Sequence, residues 1–173
     1  MTRRLLLAVV AAAASLALPA AQEVSQEYRV KAAYLYNFVK YVEWPESMKG
    51  PIRICVAGQN PFGTLLEDLV RNERVRGLSL NAAVILGPEA DCHVVFTPRT
   101  SNIPVYLRAA TGTPTLTVGE TTRFIEQGGM INFTLEEGKV RFEINRSAAE
   151  RVKLRISSRL LQLARLTNGS EER

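Results

Sequence analysis

The sequence predicts an α/β fold: a single layered domain with a mostly parallel central sheet flanked by helices and an antiparallel C-terminal hairpin. Three observations carry this expectation. Short apolar runs rich in branched residues, such as "IRICVAG" and "CHVVFTP", alternate with segments of helical periodicity. One long stretch near the start holds helical spacing over several turns. Near the end, "MINFTLEEGKVRFEIN" alternates with a period of two about a Glu-Gly pair.

Taken in order, residues 1–21 read as a secretory signal peptide. Arg3 and Arg4 precede an apolar run over 5–18, and small residues follow at Ala20 and Ala21. The alternative is an uncleaved anchor, although the run is short against the roughly 18–20 apolar residues a membrane span needs. The folded domain is expected over 24–167, with a frayed tail over 168–173.

Residues 25–43 are expected to form a helix. Tyr28, Ala32, Leu35, Val39 and Val42 make one stripe on the helical wheel, and Val30, Tyr34, Phe38 and Tyr41 make a second beside it. Together they cover an apolar arc of roughly 200°, about twice what one packed face requires. Lys31 falls inside that arc. Pro45 pushes Trp44 out of the α region and ends the helix.

A buried strand follows in "IRICVAG", then a helix in "NPFGTLLEDLVRNER" with Asn60 as its cap and Pro61 at its first position. "GLSLNAAVIL" and "CHVVFTP" are strands, 101–110 a short helix, "TPTLTVG" a strand and 120–127 another short helix. The hairpin places Asn132, Arg141, Glu143 and Asn145 on its polar face, against Ile131, Phe133, Phe142 and Ile144 on its apolar face. "SAAERVKLRISSRLLQLARL" closes the chain with an amphipathic helix through Leu160, Leu163 and Ala164, capped by Ser157 or Ser158.

Composition narrows the function classes. The net charge is +5 for the whole sequence, and loss of Arg3 and Arg4 with the leader leaves +3. The basic residues are scattered, so nucleic acid is not an expected partner. Two cysteines, Cys55 and Cys92, sit in strand-like runs. In an exported protein the pair is expected to form a disulfide, the alternative being two buried thiols. Such a bridge stabilises by roughly 3–4 kcal/mol on the chain-entropy account. No catalytic set or metal spacing emerges: His93 is the only histidine and lies in a strand-like run, the acidic residues stand singly, and neither a nucleophile elbow nor a phosphate-loop pattern occurs. No cofactor is expected. The polar hairpin face near Lys31 reads either as a solvated surface or as one wall of a ligand groove, for which Lys31, Asn132, Arg141, Asn145, Ser157 and Ser158 are the candidates.

Five stretches in order, "EYRVKAAYLYNFVKYVEWP", "IRICVAGQNPFG", "GGMINF", "VRFEIN" and "ISSRLLQLA", resemble the YfiR-like family. That resemblance implies a periplasmic, non-enzymatic α/β protein that dimerises. It implies a partner, an inner-membrane diguanylate cyclase whose periplasmic part is bound and held inactive, which lowers cyclic di-GMP and biofilm formation. It also implies redox control through disulfides. Cys55 and Cys92 match one such bridge, and the second, more C-terminal pair of the family's best-known member has no counterpart here. The alternative is a periplasmic small-molecule sensor acting on another membrane partner. For a dimer or partner face, the expected residues are Val30, Tyr34, Phe38 and Tyr41, with Trp44 as an anchor.

Overall fold

The computed structural model describes residues 23–45 and 50–166. The signal peptide expected at 1–21 and the tail expected at 168–173 lie outside the described residues.

The first helix, α1, spans Gln26–Tyr41, with Ser25 as its N-cap accepting from the Tyr28 N–H. It stops two residues earlier than its periodicity predicts. Val42 is extended, and Val42–Glu43 forms a short strand, β1. Strand β2 spans Ile52–Ala57. Helix α2, Leu65–Val70, also starts later than expected. Asn60 caps a turn rather than the helix: its Oδ1 accepts from the Phe62 N–H and its Nδ2 donates to the Gly63 carbonyl. Gly63 then adopts a φ of +54°, which no helix interior allows.

Strands β3, Arg74–Val75, and β4, Leu78–Ile85, form a small hairpin. Arg76 and Gly77 both have positive φ at its turn, the pairing that suits the twist of a two-residue hairpin. Strand β5 is Val94–Thr97, helix α3 is Ile103–Ala109 with Pro104 in its first turn, and β6 is Leu116–Gly119.

The helix expected over 120–127 is instead a run of turns. Arg123 sits at φ 69°, which interrupts any helix. The fully buried Phe124 ring lies between Gly119 and Gly129, where a Cβ on either glycine would land on ring carbons. The hairpin is as expected: β7, Ile131–Glu136, pairs antiparallel with β8, Lys139–Ile144, across Glu137 and Gly138, both at positive φ. The single closing helix becomes two short ones. Asn145 caps α4, Arg146–Arg151; strand β9 is Arg155–Ile156; and Ser157 caps α5, Ser158–Leu163. Leu160 is buried, whereas Leu163 points outward. Strand β10 is Arg165–Leu166.

The main sheet has the order β10-β8-β7-β6-β5-β2-β4-β3, and β1 pairs antiparallel with β9 in a separate two-stranded sheet. Strands β4, β2, β5, β6 and β7 are mutually parallel, and β10 adds parallel to β8. One face packs beneath α1 and α2 in the larger core. Cys55, Ala57, Ile85, Cys92, Val95 and Tyr106 form a smaller core on the other face, with Tyr106 supplied by α3. Both faces of the parallel strands are thus covered, as burial of a parallel sheet requires. The Cys55–Cys92 disulfide forms within the smaller core, with the two Cα atoms 5.8 Å apart.

An aromatic chain runs through the larger core. Phe62 packs on Phe96, Phe96 on Phe133, and Phe38 on both Phe133 and Phe142, at centroid distances of 5.2 to 6.2 Å. Phe38 is therefore a core residue with no exposed surface, and the second stripe of α1 does not reach the outside as a unit. Tyr34 packs half-buried against Phe142, Arg159 lies over the Tyr41 ring, and Val30 and Trp44 are half-buried.

Candidate functional site

The strand order has a topological switch point. The chain passes from β2 to β4 on one side, then returns to β5 on the other side of β2. The loops leaving β2 and β5 diverge there, and in open α/β sheets this opens a crevice beyond the carboxyl ends of the strands. A cleft of about 490 Å³ occupies the position, bordered by Tyr28, Gln59, Asn60, Pro98, Arg99 and Glu120. The Ser101 hydroxyl donates to the Ala57 carbonyl at 2.7 Å and ties the two strand ends together.

A buried charge cluster forms one wall. Glu120 follows β6 directly and is 4% exposed. Its Oε2 accepts from Lys31 Nζ at 2.5 Å, and its Oε1 accepts from the Tyr28 hydroxyl at 3.0 Å and the Arg99 backbone N–H at 3.1 Å. Lys31, 1% exposed, also pairs with Glu27 one helical turn away and lies 4.7 Å from the centre of the Tyr28 ring. Burial, followed by the negative charge of Glu120, pushes the Tyr28 phenol up to about 12. That direction is wrong for a general base at neutral pH, and the carboxylate beside it is fully committed.

Beyond Glu120 lies a second, more open cleft of about 730 Å³, between the 120–126 turns and the polar side of β7 and β8. Asn132 lines it, buried at 3% exposure, and donates from Nδ2 to Glu143 Oε1 at 3.0 Å. Asn132 Oδ1 and Thr121 Oγ1 are buried without a hydrogen-bond partner, and both residues border this cleft. A third cleft, about 640 Å³ and bordered by Arg108 and Arg151, has none of the unpaired buried polar atoms on its walls.

The residues expected to share a groove are therefore divided. Lys31 and Asn132 flank the Glu120 region, Lys31 through its ion pair and Asn132 through the second cleft. Asn145 is buried, accepting from the Ala148 N–H, and Ser157 accepts from the Leu160 N–H, so both serve as helix caps. Arg141 and Ser158 are exposed and border neither cleft. Sequence reasoning missed Glu120, Thr121 and Arg99. Their own linear signal is position: Arg99 and Glu120 stand just past the ends of fully buried parallel strands, where polar residues gather around a ligand crevice.

His93 lies away from both clefts, its ring centre 6.5 Å from that of Trp44. Burial holds its pKa below the ordinary histidine value. Among the described residues, Glu89, Asp91 and Cys92 form the one grouping with metal-ligand atoms close together. Cys92 is in the disulfide and Arg53 binds both carboxylates at 2.6 Å, so the set has no thiolate to offer and its two acids already share one guanidinium. No helix among the described residues is long and apolar enough to cross a membrane.

The comparisons with known proteins agree with this architecture. A solved structure, a conserved domain protein from Vibrio cholerae O1 biovar eltor str. N16961, is similar with a TM-score of 0.54 at 17% identity, covering 81% of this chain and 60% of that one. At such identity the likeness shows a shared fold. No curated protein matches the chain. The family model described as YfiR/HmsC-like matches residues 28–165, from Tyr28 in the charge cluster to the first residue of β10. With that match running through both cores, the disulfide and the hairpin, the chain belongs to the YfiR/HmsC-like family.

Proposed function

We propose that this protein is a periplasmic regulator that acts by binding, and that its partner is the periplasmic part of an inner-membrane diguanylate cyclase, which it holds inactive. The observation that carries the reading is the family match over 28–165. Two features support it. The Cys55–Cys92 bridge suits an oxidising compartment. Tyr28, Lys31 and Glu120 beside the switch-point cleft are locked in an ion pair and hydrogen bonds, an arrangement that holds shape and leaves none of the three free as a nucleophile or base.

Regulation then works by differential affinity. Capture of the inactive form of the cyclase shifts its population toward that form by as much as the two affinities differ. Deleting the gene should raise intracellular cyclic di-GMP and biofilm mass, and restoring it on a plasmid should reverse both. Unchanged cyclic di-GMP across growth conditions would remove the cyclase from the proposal.

The same reading includes a homodimer, with the half-buried Val30, Tyr34 and Tyr41 and the neighbouring Trp44 contributing to a dimer or partner face. A monomeric mass by light scattering at micromolar concentration would end the dimer part. A second reading, a small-molecule sensor acting on another membrane partner, is favoured by one observation: the buried, unpaired acceptor of Asn132 beside an open cleft.

A further inference from the structure

We propose that the cleft between the 120–126 turns and the polar side of the β7–β8 hairpin binds a small ligand through a primary ammonium group. The inference does not depend on which membrane protein is the partner.

It begins with Asn132. Its side chain is buried, and its amide orientation is fixed because Nδ2 donates to a carboxylate oxygen of Glu143. Rotating the amide would set oxygen against oxygen. Oδ1 is therefore the amide atom not bonded to Glu143, and it has no partner. A buried carbonyl oxygen without a donor is uncommon in folded proteins and calls for an explanation, such as a bound group. Thr121 Oγ1 is a second buried polar atom without a partner, and Thr121, like Asn132, borders this cleft. The two come from different elements, a turn and a strand, so one local distortion does not explain both.

The chemistry of the missing group follows from what surrounds it. Asn132 Oδ1 can only accept, and the Thr121 hydroxyl can accept. Glu143 adds a half-buried carboxylate that takes one bond, on Oε1. An ammonium group, with three donors and a positive charge, satisfies such a set. An anion suits it poorly: beside Asn132 it would meet the unpaired carbonyl oxygen and the carboxylate of Glu143, whereas Glu120 is already matched by Lys31. Arg99 and Arg123 are the cations on the cleft wall; Arg123 is paired with Glu126 at 2.6 Å, and Arg99 is the group that would draw an anion, which an acetate titration reads. The volume, about 730 Å³, lies in the range of small-molecule clefts. The exposed side chain of Leu135 at the edge offers apolar contact for a short carbon chain.

The test is a titration of the oxidised protein, labelled with nitrogen-15 and followed by NMR. Ethanolamine and putrescine are the ammonium probes, and ethylene glycol and acetate are their neutral and anionic counterparts. The expected result is saturable movement of the Asn132 side-chain amide and the Thr121 backbone amide with both amines, and none with acetate or glycol. Asn132→Leu should weaken amine binding by about tenfold or more, the loss of a hydrogen bond to a charged group. Thr121→Val keeps the shape of the side chain and serves if the leucine variant fails to fold; it should weaken binding in the same direction. Three results would each overturn the proposal. The first is no saturable shift with either amine, which leaves ordered water as the partner of Asn132. The second is acetate moving the same resonances as tightly. The third is amine binding that survives both substitutions unchanged.

Discussion

Replacing Lys31 by methionine isolates the buried charge cluster. The side chains of Lys31 and Glu120 are each 1% exposed, whereas that of Glu27 is 30% exposed. Methionine keeps the length and apolar stem of the lysine and removes the charge. Glu120 is then left buried with only the Tyr28 hydroxyl and the Arg99 N–H as donors. Breaking a buried pair on one side costs about 3–5 kcal/mol. The two remaining donors place this case at the lower end, about 3 kcal/mol, or roughly 10 °C in melting temperature for a domain of this size. Glu120→Gln should cost less, because Lys31 retains Glu27, which is partly solvated. The double variant has no unpaired buried charge and should recover much of the loss, leaving a coupling of about 2 kcal/mol. Urea denaturation followed both by far-ultraviolet circular dichroism and by the fluorescence of Trp44, the sole tryptophan, measures all four corners of the cycle. If Lys31→Met costs less than about 1 kcal/mol, or the two changes add to within about 0.5 kcal/mol, the cluster does not hold the fold in the way its geometry indicates.

Three further outcomes follow from the same structure. Cys55→Ala combined with Cys92→Ala should cost about 4 kcal/mol, the chain-entropy value for a bridge spanning 37 residues, and a urea midpoint that hardly moves would contradict it. Gly129→Ala should cost about 1–3 kcal/mol by driving a Cβ into the buried Phe124 ring. Gly87→Ala, with nothing within 4 Å of its added Cβ, should stay within about 0.5 kcal/mol in the same urea titrations; equal losses at both sites would show that the Phe124 contact is not the cause. The Tyr28 phenol, held up to about 12 by burial and then by Glu120, should appear in stopped-flow pH jumps at 295 nm as a late phase missing from Tyr28→Phe. Because its folded pKa is raised, the stability it lends is whole below about 10, the unfolded value, and is lost as pH rises through about 12. A difference phase centred near 10 would refute the burial.

Much of the fold was legible because local signals and tertiary demands agree. The β7–β8 hairpin needs a side-chain period of two and two residues able to take positive φ at its tip, and the sequence supplies both in one short stretch. Of the first stripe, Ala32, Leu35 and Val39 are buried on α1, Val42 is buried in β1 just past the helix end, and Tyr28 is half-buried. The wheel could not say which part of a 200° arc, roughly, meets the sheet and which meets solvent. Phe38 shows the consequence. It belongs to the second stripe by angle, but the facing rings of Phe133 and Phe142 bring it into the core. Where backbone conformation overrode composition, element type was missed: 120–127 has helix-compatible residues, yet Arg123 turns left-handed while the Phe124 ring is clasped between two glycines.

The candidate site was the least legible part, for a reason visible in Glu120. Its three donors, on Tyr28, Lys31 and Arg99, lie 92, 89 and 21 residues away in the chain. No window of sequence contains them together, and an isolated acidic residue after Gly119 resembles many solvated ones. Lys31 gave the stronger warning. A lysine inside an apolar arc on a helix face must either reach water or find an anion. The second outcome requires a buried carboxylate across from that face, and in a parallel α/β sheet the nearest polar positions are those just past the strand ends. The lysine thus pointed to a partner of known chemistry in a known layer of the fold. It could not say that Glu120 would be the one, nor that the turn carrying Glu120 would also present Thr121 to the cleft lined by Asn132. The charge cluster and the cleft share one short backbone segment, so the residue that anchors α1 also fixes where that cleft wall stands.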